Sequence, residues 1–465
     1  MARPFPSDPY LEGNYAPLSF EADAHDLVVR GEIPRCLEGA LYRNGANPQY
    51  APRGRYHWFD GDGMIHGFFF ENGLVSYKNR WVRTERWQRE RAAGEALFGG
   101  LMNPGLSDPG VANVSPNTAN TNIVWHAGRL LALWEAGLPT ELDPVTLETR
   151  GTWDFAGRLT RRNHPSGIMT AHPKLDARTG EMVMFGYSPL EPYLVYNVVG
   201  RDGTLLKNIE LDVPWPSMMH DFMVTAEHVI FPVFPVVFDL GAIQNGGSMM
   251  SWQPERGSML GVMSRHGDGS DLRWLATDPC YVFHPMNAHS EGTRVVCEVA
   301  RFPVVPLFGV EGQGPASLYR FTLDLARGTV KQEPLDDLPA EFPRLDERYT
   351  GLPYAHGYAA GRTSTDTKGI AGFDAILHYN VKSGSRSVHA LPEGSYTGEP
   401  VFVPSRPDAP EGEGVLLATV YREAERASEL LVLDAENVEK DPLATIALPT
   451  RVPFGFHGNW RPAAE

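Results

Sequence analysis

The chain has 465 residues, a formal charge of −16 and 42% hydrophobic residues. This length suits either several ordinary domains or one large β-propeller, and it permits a large buried core. The acidic balance argues against a basic surface that follows phosphates, and basic clusters such as Arg161-Arg162 are too short for nucleic acid.

The N-terminus begins Met1-Ala2-Arg3-Pro4 and lacks an apolar signal core, and no run of about 18 apolar residues occurs anywhere. Three cysteines, Cys36, Cys280 and Cys297, are an odd number without Cys-x-x-Cys spacing. This pattern indicates neither a disulfide framework nor a zinc knuckle. We therefore expect a cytoplasmic protein that is either freely soluble or peripheral to a membrane.

The only clear helical pattern precedes the first turn-rich region and runs from Arg83 to Phe98, with good helix formers and mixed charges. Beyond it, short apolar runs such as Glu181 to Tyr187 alternate with turns rich in Asp, Gly and Asn. The turns are Leu142-Asp143-Pro144, Leu175 to Gly180, Gly200 to Gly203, Gly267-Asp268-Gly269, Leu323 to Gly328 and Lys382-Ser383-Gly384. This rhythm predicts hairpin after hairpin, and hence an all-β fold of radial sheet blades. Because no linker divides the chain, we expect one domain over 1–465.

Four histidines stand in unlike local settings: Thr-Ala-His-Pro-Lys at His172, Met-Met-His-Asp-Phe at His220, Phe-His-Pro-Met-Asn-Ala at His284, and Phe-His-Gly-Asn-Trp at His457. Neutral imidazole is a good ligand for Fe(II), and four rings from separate blades can converge on a propeller axis. Each taken alone is more often a structural core or turn residue. Other histidines near apolar residues, outside these contexts, are His164, His289, His356 and His378.

The ordered set of four histidines resembles the iron ligands of the carotenoid cleavage oxygenases. The resemblance extends from Leu41-Tyr42-Arg43-Asn44-Gly45 through Trp58 to His66 and on to His457, so it covers nearly the whole chain. It implies a seven-bladed β-propeller with a dome of loops and helix over its top face, and Fe(2+) as the cofactor.

The same resemblance implies three glutamates that accept the second ring N–H of the ligands: Glu135 in Leu-Trp-Glu-Ala-Gly, Glu341 in Glu-Phe-Pro-Arg, and Glu399 in Gly-Glu-Pro-Val. A carboxylate in that position aims the ring. Alone, each would be taken for a solvated surface residue. Three carboxylates for four rings leave one histidine to be oriented by another group.

Thr121, in Thr-Ala-Asn-Thr-Asn, matches the family position near a vacant iron site, where its methyl group would restrict access; otherwise it is an ordinary strand threonine. The resemblance implies that O2 and a C=C bond react at the metal to give two carbonyl products. No organic cofactor is indicated, because Gly61-Asp62-Gly63 is a turn and not a phosphate-binding loop.

Stilbene- and phenylpropenoid-cleaving relatives resemble this chain in overall frame, and Phe59 matches an aromatic residue of their cleft. Those relatives have a Lys immediately before the first supporting glutamate and a Tyr at the segment aligned with Leu101, whereas this chain has Trp134 and Leu101. The loss of both polar groups favours a long hydrocarbon, a carotenoid or apocarotenoid, over a phenol.

Three apolar segments could form a doorway to a membrane: Leu97 to Met102, Phe231 to Phe238, and Phe302 to Phe308. Prolines within the last two predict loops or extended segments over the top face rather than central strands. They either pack together as a lid or expose an apolar patch for peripheral membrane contact. No protein partner is indicated.

Three alternatives stay open. The chain could cleave stilbene or phenylpropenoid double bonds. It could be a propeller that only serves as a binding scaffold and holds no iron. It could also keep the metal without oxygenation, as in the retinoid isomerohydrolase branch.

Overall fold

The computed structural model describes residues 3–101, 103–164, 166–244, 248–307, 314–364 and 371–463. Within them nearly all regular structure is strand. The first sixteen strands are β1 (Ala22–Ala24), β2 (Val29–Gly31), β3 (Gly39–Ala46), β4 (Gly63–Glu71), β5 (Leu74–Trp81), β6 (Asn122–His126), β7 (Arg129–Leu133), β8 (Thr140–Leu142), β9 (Thr149–Thr152), β10 (Lys174–Leu175), β11 (Met182–Tyr187), β12 (Leu194–Val199), β13 (Leu205–Leu211), β14 (Met223–Val224), β15 (His228–Val233) and β16 (Val236–Phe238).

The second half of the chain continues with β17 (Met250–Trp252), β18 (Ser258–Ser264), β19 (Arg273–Thr277), β20 (Tyr281–Glu291), β21 (Arg294–Phe302), β22 (Ser317–Asp324), β23 (Thr329–Leu345), β24 (His356–Gly361), β25 (Ala375–Asn380), β26 (Ser385–Ala390), β27 (Ser395–Thr397), β28 (Val401–Pro404), β29 (Gly414–Arg422), β30 (Ala427–Asp434), β31 (Ala444–Ala447) and β32 (Gly458–Pro462). Short 3-10 helices span Pro9–Leu11, Gly13–Tyr15, Trp58–Asp60, Pro104–Leu106, Pro109–Val111, Pro254–Arg256 and Glu347–Tyr349.

Two α-helices occur in the described residues, α1 (Glu85–Ala93) and α2 (Leu240–Gln244). The helix predicted from Arg83 to Phe98 is confirmed but shorter. Thr84 caps its start by accepting the Trp87 N–H at 3.2 Å, and Gly94 ends it with a φ of 75°. Glycine adopts that left-handed backbone without steric cost, so the last predicted residues leave the helix axis.

The strands form antiparallel sheets of neighbouring hairpins, which confirms the all-β prediction. The orders are β6-β7-β8-β9, β10-β11-β12-β13, β14-β15-β18-β19, β16-β17, β20 through β26, β2-β31-β30-β29-β27 with β28 on β29, and β1-β5-β4-β3-β32. The last strand, β32, thus pairs with β3 from the N-terminal region. Apolar clusters lie between adjacent sheets, as where Leu41 and Phe68 pack with Leu417 and Val432.

All six predicted turns join consecutive antiparallel strands. Their Asp and Asn side chains stabilise them locally. The Asp143 carboxylate accepts the Val145 and Thr146 N–H groups at 2.9 and 2.8 Å, and the Asn380 carboxamide oxygen accepts the Ser383 N–H at 3.0 Å. Such short-range bonds depend only on neighbouring residues, so a turn sequence predicts them well.

The prediction that proline keeps the Phe231 segment out of a central strand was wrong. Pro232 lies in β15, which stands between β14 and β18. The two-residue strand β14 pairs only with Val229 and Ile230, so Pro232 faces a neighbour on one side alone. Its missing N–H therefore costs no hydrogen bond in the sheet.

The apolar segments pack into the interior rather than lying on the surface as a patch. Phe231 belongs to a buried cluster with Phe185 and Phe222. Leu101 packs against a second buried cluster, which contains Phe234 and Phe302. The burial of these segments therefore fits the alternative in which they pack together as a lid. Met102 and Phe308 lie outside the described residues. No helix in the described residues is both long and apolar enough to cross a bilayer.

Candidate metal centre

The four histidines lie at strands of four different sheets and meet at one point. His172 precedes β10, His220 precedes β14, His284 lies near the start of β20, and His457 precedes β32. Each of these strands is the terminal strand of its own sheet. The ligand atoms of the four buried rings lie within 4.8 Å of one another.

The spacing of the ring nitrogens fits a shared metal ion. His220 Nε2 lies 3.0 Å from His172 Nε2 and 3.2 Å from His284 Nε2. Two nitrogens bonded at right angles to one ion stand about 3.0 Å apart when each bond is about 2.1 Å, a usual metal–imidazole length. The donor set, four neutral nitrogens of intermediate softness, suits a first-row transition metal.

Each predicted glutamate accepts a ring N–H from one of the histidines. His220 Nδ1 lies 2.5 Å from Glu135 Oε2, His284 Nδ1 lies 2.6 Å from Glu341 Oε2, and His457 Nδ1 lies 2.9 Å from Glu399 Oε1. With the proton assigned to Nδ1 by these carboxylates, each Nε2 carries a lone pair. Adjacent lone pairs repel, and a cation bound among them would remove that repulsion.

His172 is the ring without a glutamate. Its Nδ1 lies 3.7 Å from Asp221 Oδ2, too far for a hydrogen bond. Lys174 Nζ holds the same carboxylate, at 2.7 Å from Oδ1 and 2.9 Å from Oδ2. The nearest charged neighbour of the fourth ring is therefore an aspartate already paired with a lysine.

Burial keeps the imidazoles of His457 and His172 in the neutral form that binds metal. It lowers the pKa of His457 to about 3, although Glu399 opposes the change. Burial, aided by the other three rings, holds the pKa of His172 well below its usual range. Burial also lowers the pKa of His284, but Glu341 and other carboxylates outweigh it and the net pKa is raised. The contact with Glu341 therefore changes the pKa of the His284 ring directly.

A β-bulge places Glu341 where His284 can reach it. The pairing of β23 with β24 shifts between Glu341 and Arg344, and Phe342 has a φ of 52°. A bulky residue rarely adopts that conformation, and bulges commonly redirect side chains beside functional sites. The Phe342 N–H also donates to the Glu341 carboxylate, and the Phe342 ring stacks on His284 at 5.4 Å.

Arg344 was not predicted as a site residue, although it lies in the quoted Glu-Phe-Pro-Arg sequence. Its guanidinium lies 2.9 Å from Glu399 Oε2 and donates to the Gly458 carbonyl at 2.7 Å. Burial raises the pKa of Glu399, but Arg344 and His457 outweigh it and lower the pKa to about 2. A permanent cation thus keeps the partner of His457 ionised.

Tyr187 was also missed, and it ends the strand that the sequence predicted from Glu181. Its hydroxyl donates to Glu135 Oε1, while the other oxygen of Glu135 faces His220. No local motif joins Tyr187 to Glu135, because Glu135 lies in the turn after β7 and Tyr187 ends β11 of another sheet.

The remaining predicted site residues are Thr121, Phe59, Leu101 and Trp134. The Thr121 carbonyl accepts the backbone N–H of His457 at 3.2 Å, and the Thr121 hydroxyl donates to Asn120 at 3.0 Å. Phe59 and Leu101 both pack on the aromatic cluster that contains Phe283. Trp134 is half-buried beside Glu135. Their roles toward a substrate remain predictions.

The histidines set aside in the sequence lie elsewhere. His289 shares β20 with His284, but its Nε2 lies 3.1 Å from Glu291. His164 Nε2 lies 3.0 Å from the Glu191 carbonyl, and His356 pairs with His378 at 2.8 Å. None of them belongs to the group of four.

Replacing a supporting glutamate by glutamine should weaken metal binding. We expect Glu135→Gln, Glu341→Gln and Glu399→Gln each to lower metal affinity or turnover by about 10–100-fold, since an amide supports the ring N–H less well than a carboxylate. Isothermal titration of metal-free protein with Co(II) measures the effect. Glu298→Gln is a matched control, because Glu298 is buried and is bonded to Arg320 and Tyr354 rather than to one of the four rings. Wild-type affinity in all three variants would contradict the assigned role.

Known proteins resemble this chain over nearly its whole length. Residues 15–462 match the family described as retinal pigment epithelial membrane protein. The chain is 36% identical to an isoeugenol monooxygenase of Pseudomonas nitroreducens, over 99% of this chain and 100% of that protein. It is 35% identical to a carotenoid cleavage oxygenase of Mycobacterium tuberculosis, over 98% of each.

Among solved structures, the chain is similar to the lignostilbene dioxygenase of Pseudomonas brassicacearum, with a TM-score of 0.93 and 35% identity, over 99% of this chain and 100% of that one. Relatives named for different substrates therefore resemble this chain to a similar degree.

Proposed function

This chain belongs to the carotenoid oxygenase family, and from that premise we propose that it is a non-haem Fe(II) dioxygenase that cleaves a C=C bond of a carotenoid or apocarotenoid to two carbonyl products. The family is iron-dependent, and similar relatives are named as oxygenases, among them an isoeugenol monooxygenase and a carotenoid cleavage oxygenase. The observation that carries the proposal is the convergence of four buried imidazoles with their lone pairs toward one point.

We also propose that the sheets, apart from the two-stranded β16-β17 pair, form the seven blades of one propeller domain. The register shift within β23 supports this, because it divides the longest sheet into two sets of four strands that share β23. The pairing of β32 with β3 would then close the ring, because it joins strands from the two ends of the chain in one sheet.

The residues of the chain would hold the metal and shape its surroundings. His172, His220, His284 and His457 would be the ligands, and bound iron supplies the activation of O2 for its addition across the double bond. Glu135, Glu341 and Glu399 would keep the proton on Nδ1, so that Nε2 stays available.

Aromatic rings beside the ligands would exclude water from the reacting bond. Phe283 lies edge-on to His220 at 5.1 Å, and Phe342 lies 5.4 Å from the rings of both His284 and His457. The Thr121 methyl would restrict one approach to the metal. A dry surface favours a hydrocarbon by roughly 25 cal/mol per Å² buried.

Phe59, Leu101 and Trp134 would hold the polyene. The backbone supports two of them: the Asn120 side chain donates to the Phe59 carbonyl at 2.8 Å, and the Leu101 N–H donates to Asp60 at 2.7 Å. Both side chains pack on the cluster around Phe283 and Phe302. Positioning an alkene at reacting distance is the main contribution of a protein to such chemistry.

Cleavage of a stilbene or phenylpropenoid is the second candidate, and one observation besides the relatives favours it. The Tyr281 hydroxyl is buried within the same aromatic cluster and has no hydrogen-bond partner among the described residues. Leaving a buried hydroxyl unpaired is costly, and a phenol oxygen of a substrate would satisfy it.

Product analysis distinguishes the two candidates. We expect the iron-loaded protein to cleave a carotenoid or apocarotenal and to leave 4-hydroxystilbenes and isoeugenol unchanged, with liquid chromatography and mass spectrometry as the measurement. The double change Trp134→Lys with Leu101→Tyr should lower polyene turnover, because a lysine in an apolar site must be desolvated or neutralised at a cost of several kcal/mol. Cleavage of the phenolic alkenes alone by the unmodified protein would replace the first candidate by the second.

A further inference from the structure

A cavity of about 100 Å³ reaches the histidine cluster from one side. Its inner end is lined by His172, His284 and His457. At its other end Glu347 is exposed and Thr350 and Leu175 are half-buried, so this end faces solvent. A polar space of this size holds several water molecules.

The direction of the chain explains which side the cavity occupies. Residues two to four positions after three of the ligands line it, namely Lys174, Val224 and Ala288. The cavity therefore extends from the rings in the direction in which these three chain segments run. Phe59 and Leu101, the residues proposed for substrate, do not line it.

The cavity wall beside the rings carries a buried ion pair. The Asp221 side chain is 3% exposed and the Lys174 side chain is 20% exposed, and the two are 2.7 Å apart. Asp221 also lies 3.7 Å from His172 Nδ1. A cation that enters a buried site loses water, and a carboxylate on its path offsets that loss, whereas an ammonium group opposes the cation.

On the premise that the four histidines hold a divalent metal, we infer that this cavity is the route by which the ion reaches and leaves them. Asp221 receives the ion before the histidines do, and Lys174 is displaced from Asp221 while the ion passes. Phe59 and Leu101, which pack on the hydrophobic cluster around Phe283 and do not line the cavity, serve the substrate. Metal and substrate thus approach the centre from different directions.

Blocking the cavity at its outer end tests the route. Thr350→Trp adds a large ring at a half-buried turn, and Thr204→Trp makes the same change at a half-buried turn that does not line the cavity. Chelator-treated protein is mixed with Co(II), and the cobalt absorption band reports uptake; excess chelator then reports release. We expect Thr350→Trp to slow both uptake and release by roughly 10-fold or more. Its dissociation constant and that of Thr204→Trp should match the unmodified protein.

A second blocking substitution controls for a folding defect in Thr350→Trp. Leu175→Trp, on another wall of the cavity, should slow uptake in the same way, with circular dichroism as the check on folding. Normal uptake and release in a folded plugged variant would overturn the inference. Failure of the unmodified protein to bind Co(II) or Fe(II) would instead refute the proposed metal site.

The rates of metal uptake and release distinguish a residue on the route from one that only orients a ring. Asp221→Asn should slow uptake and release equally, and Lys174→Met should accelerate both, because each changes the barrier and not the bound state. If Asp221→Asn weakened equilibrium affinity while uptake stayed normal, Asp221 would serve only to orient His172, and its assigned part in the route would be wrong.

Discussion

Alanine in place of any one of the four histidines should abolish iron binding. Metal sites built from four side chains are worth about 10–16 kcal/mol, so each ligand contributes roughly 3 kcal/mol, or more than 100-fold in affinity. The rings at His220, His284 and His457 are each held by a glutamate within 2.9 Å, so they cannot move to replace a lost ligand. Iron content of protein purified from iron-replete medium measures the loss.

Two histidines provide matched controls for that experiment. His289→Ala changes a buried ring five residues along the strand of His284, and His164→Ala changes a ring bonded to a backbone carbonyl. Both variants should retain full iron content. Full iron content and turnover in an alanine variant of the four would remove that residue from the site.

Arg344→Met should have a large effect on stability although Arg344 is not one of the ligands. Methionine leaves Glu399 buried without its cation, and breaking a buried ion pair in this way costs about 3–5 kcal/mol. It also removes the donor to the Gly458 carbonyl, at 2.7 Å, beside His457. We therefore expect a lower free energy of unfolding in urea and weaker metal binding together.

Arg150→Met is the control for the loss of an arginine that is paired with carboxylates. Arg150 contacts Glu141 and Asp143, but its side chain is 48% exposed. Exposed pairs contribute about 0–1 kcal/mol, so this variant should unfold almost as the unmodified protein does. Equal free energies of unfolding for Arg344→Met and Arg150→Met would show that the buried pair stabilises the fold no more than the exposed pair does.

Local patterns predicted the features that depend on near neighbours. The hairpin turns form because Asp and Asn side chains bond backbone groups two or three residues away, as Asp143 does with Val145 and Thr146. The helix start at Thr84 is equally local. Even so, the Phe231 segment was misjudged, because only the sheet neighbours of Pro232 decide whether its missing N–H matters.

The amino-acid sequence by itself determined the all-β class, the family, and the four histidines with their glutamate contexts. Lys174 and Asp221 stand next to ligands in the sequence, yet their pairing across 47 residues appears only when β10 and β14 come together. Arg344 reaches Glu399 and Tyr187 reaches Glu135 in the same way. Tertiary structure alone decided these contacts and the cavity beside them, because bonds between separate sheets depend on how the sheets pack and leave no periodic trace along the chain.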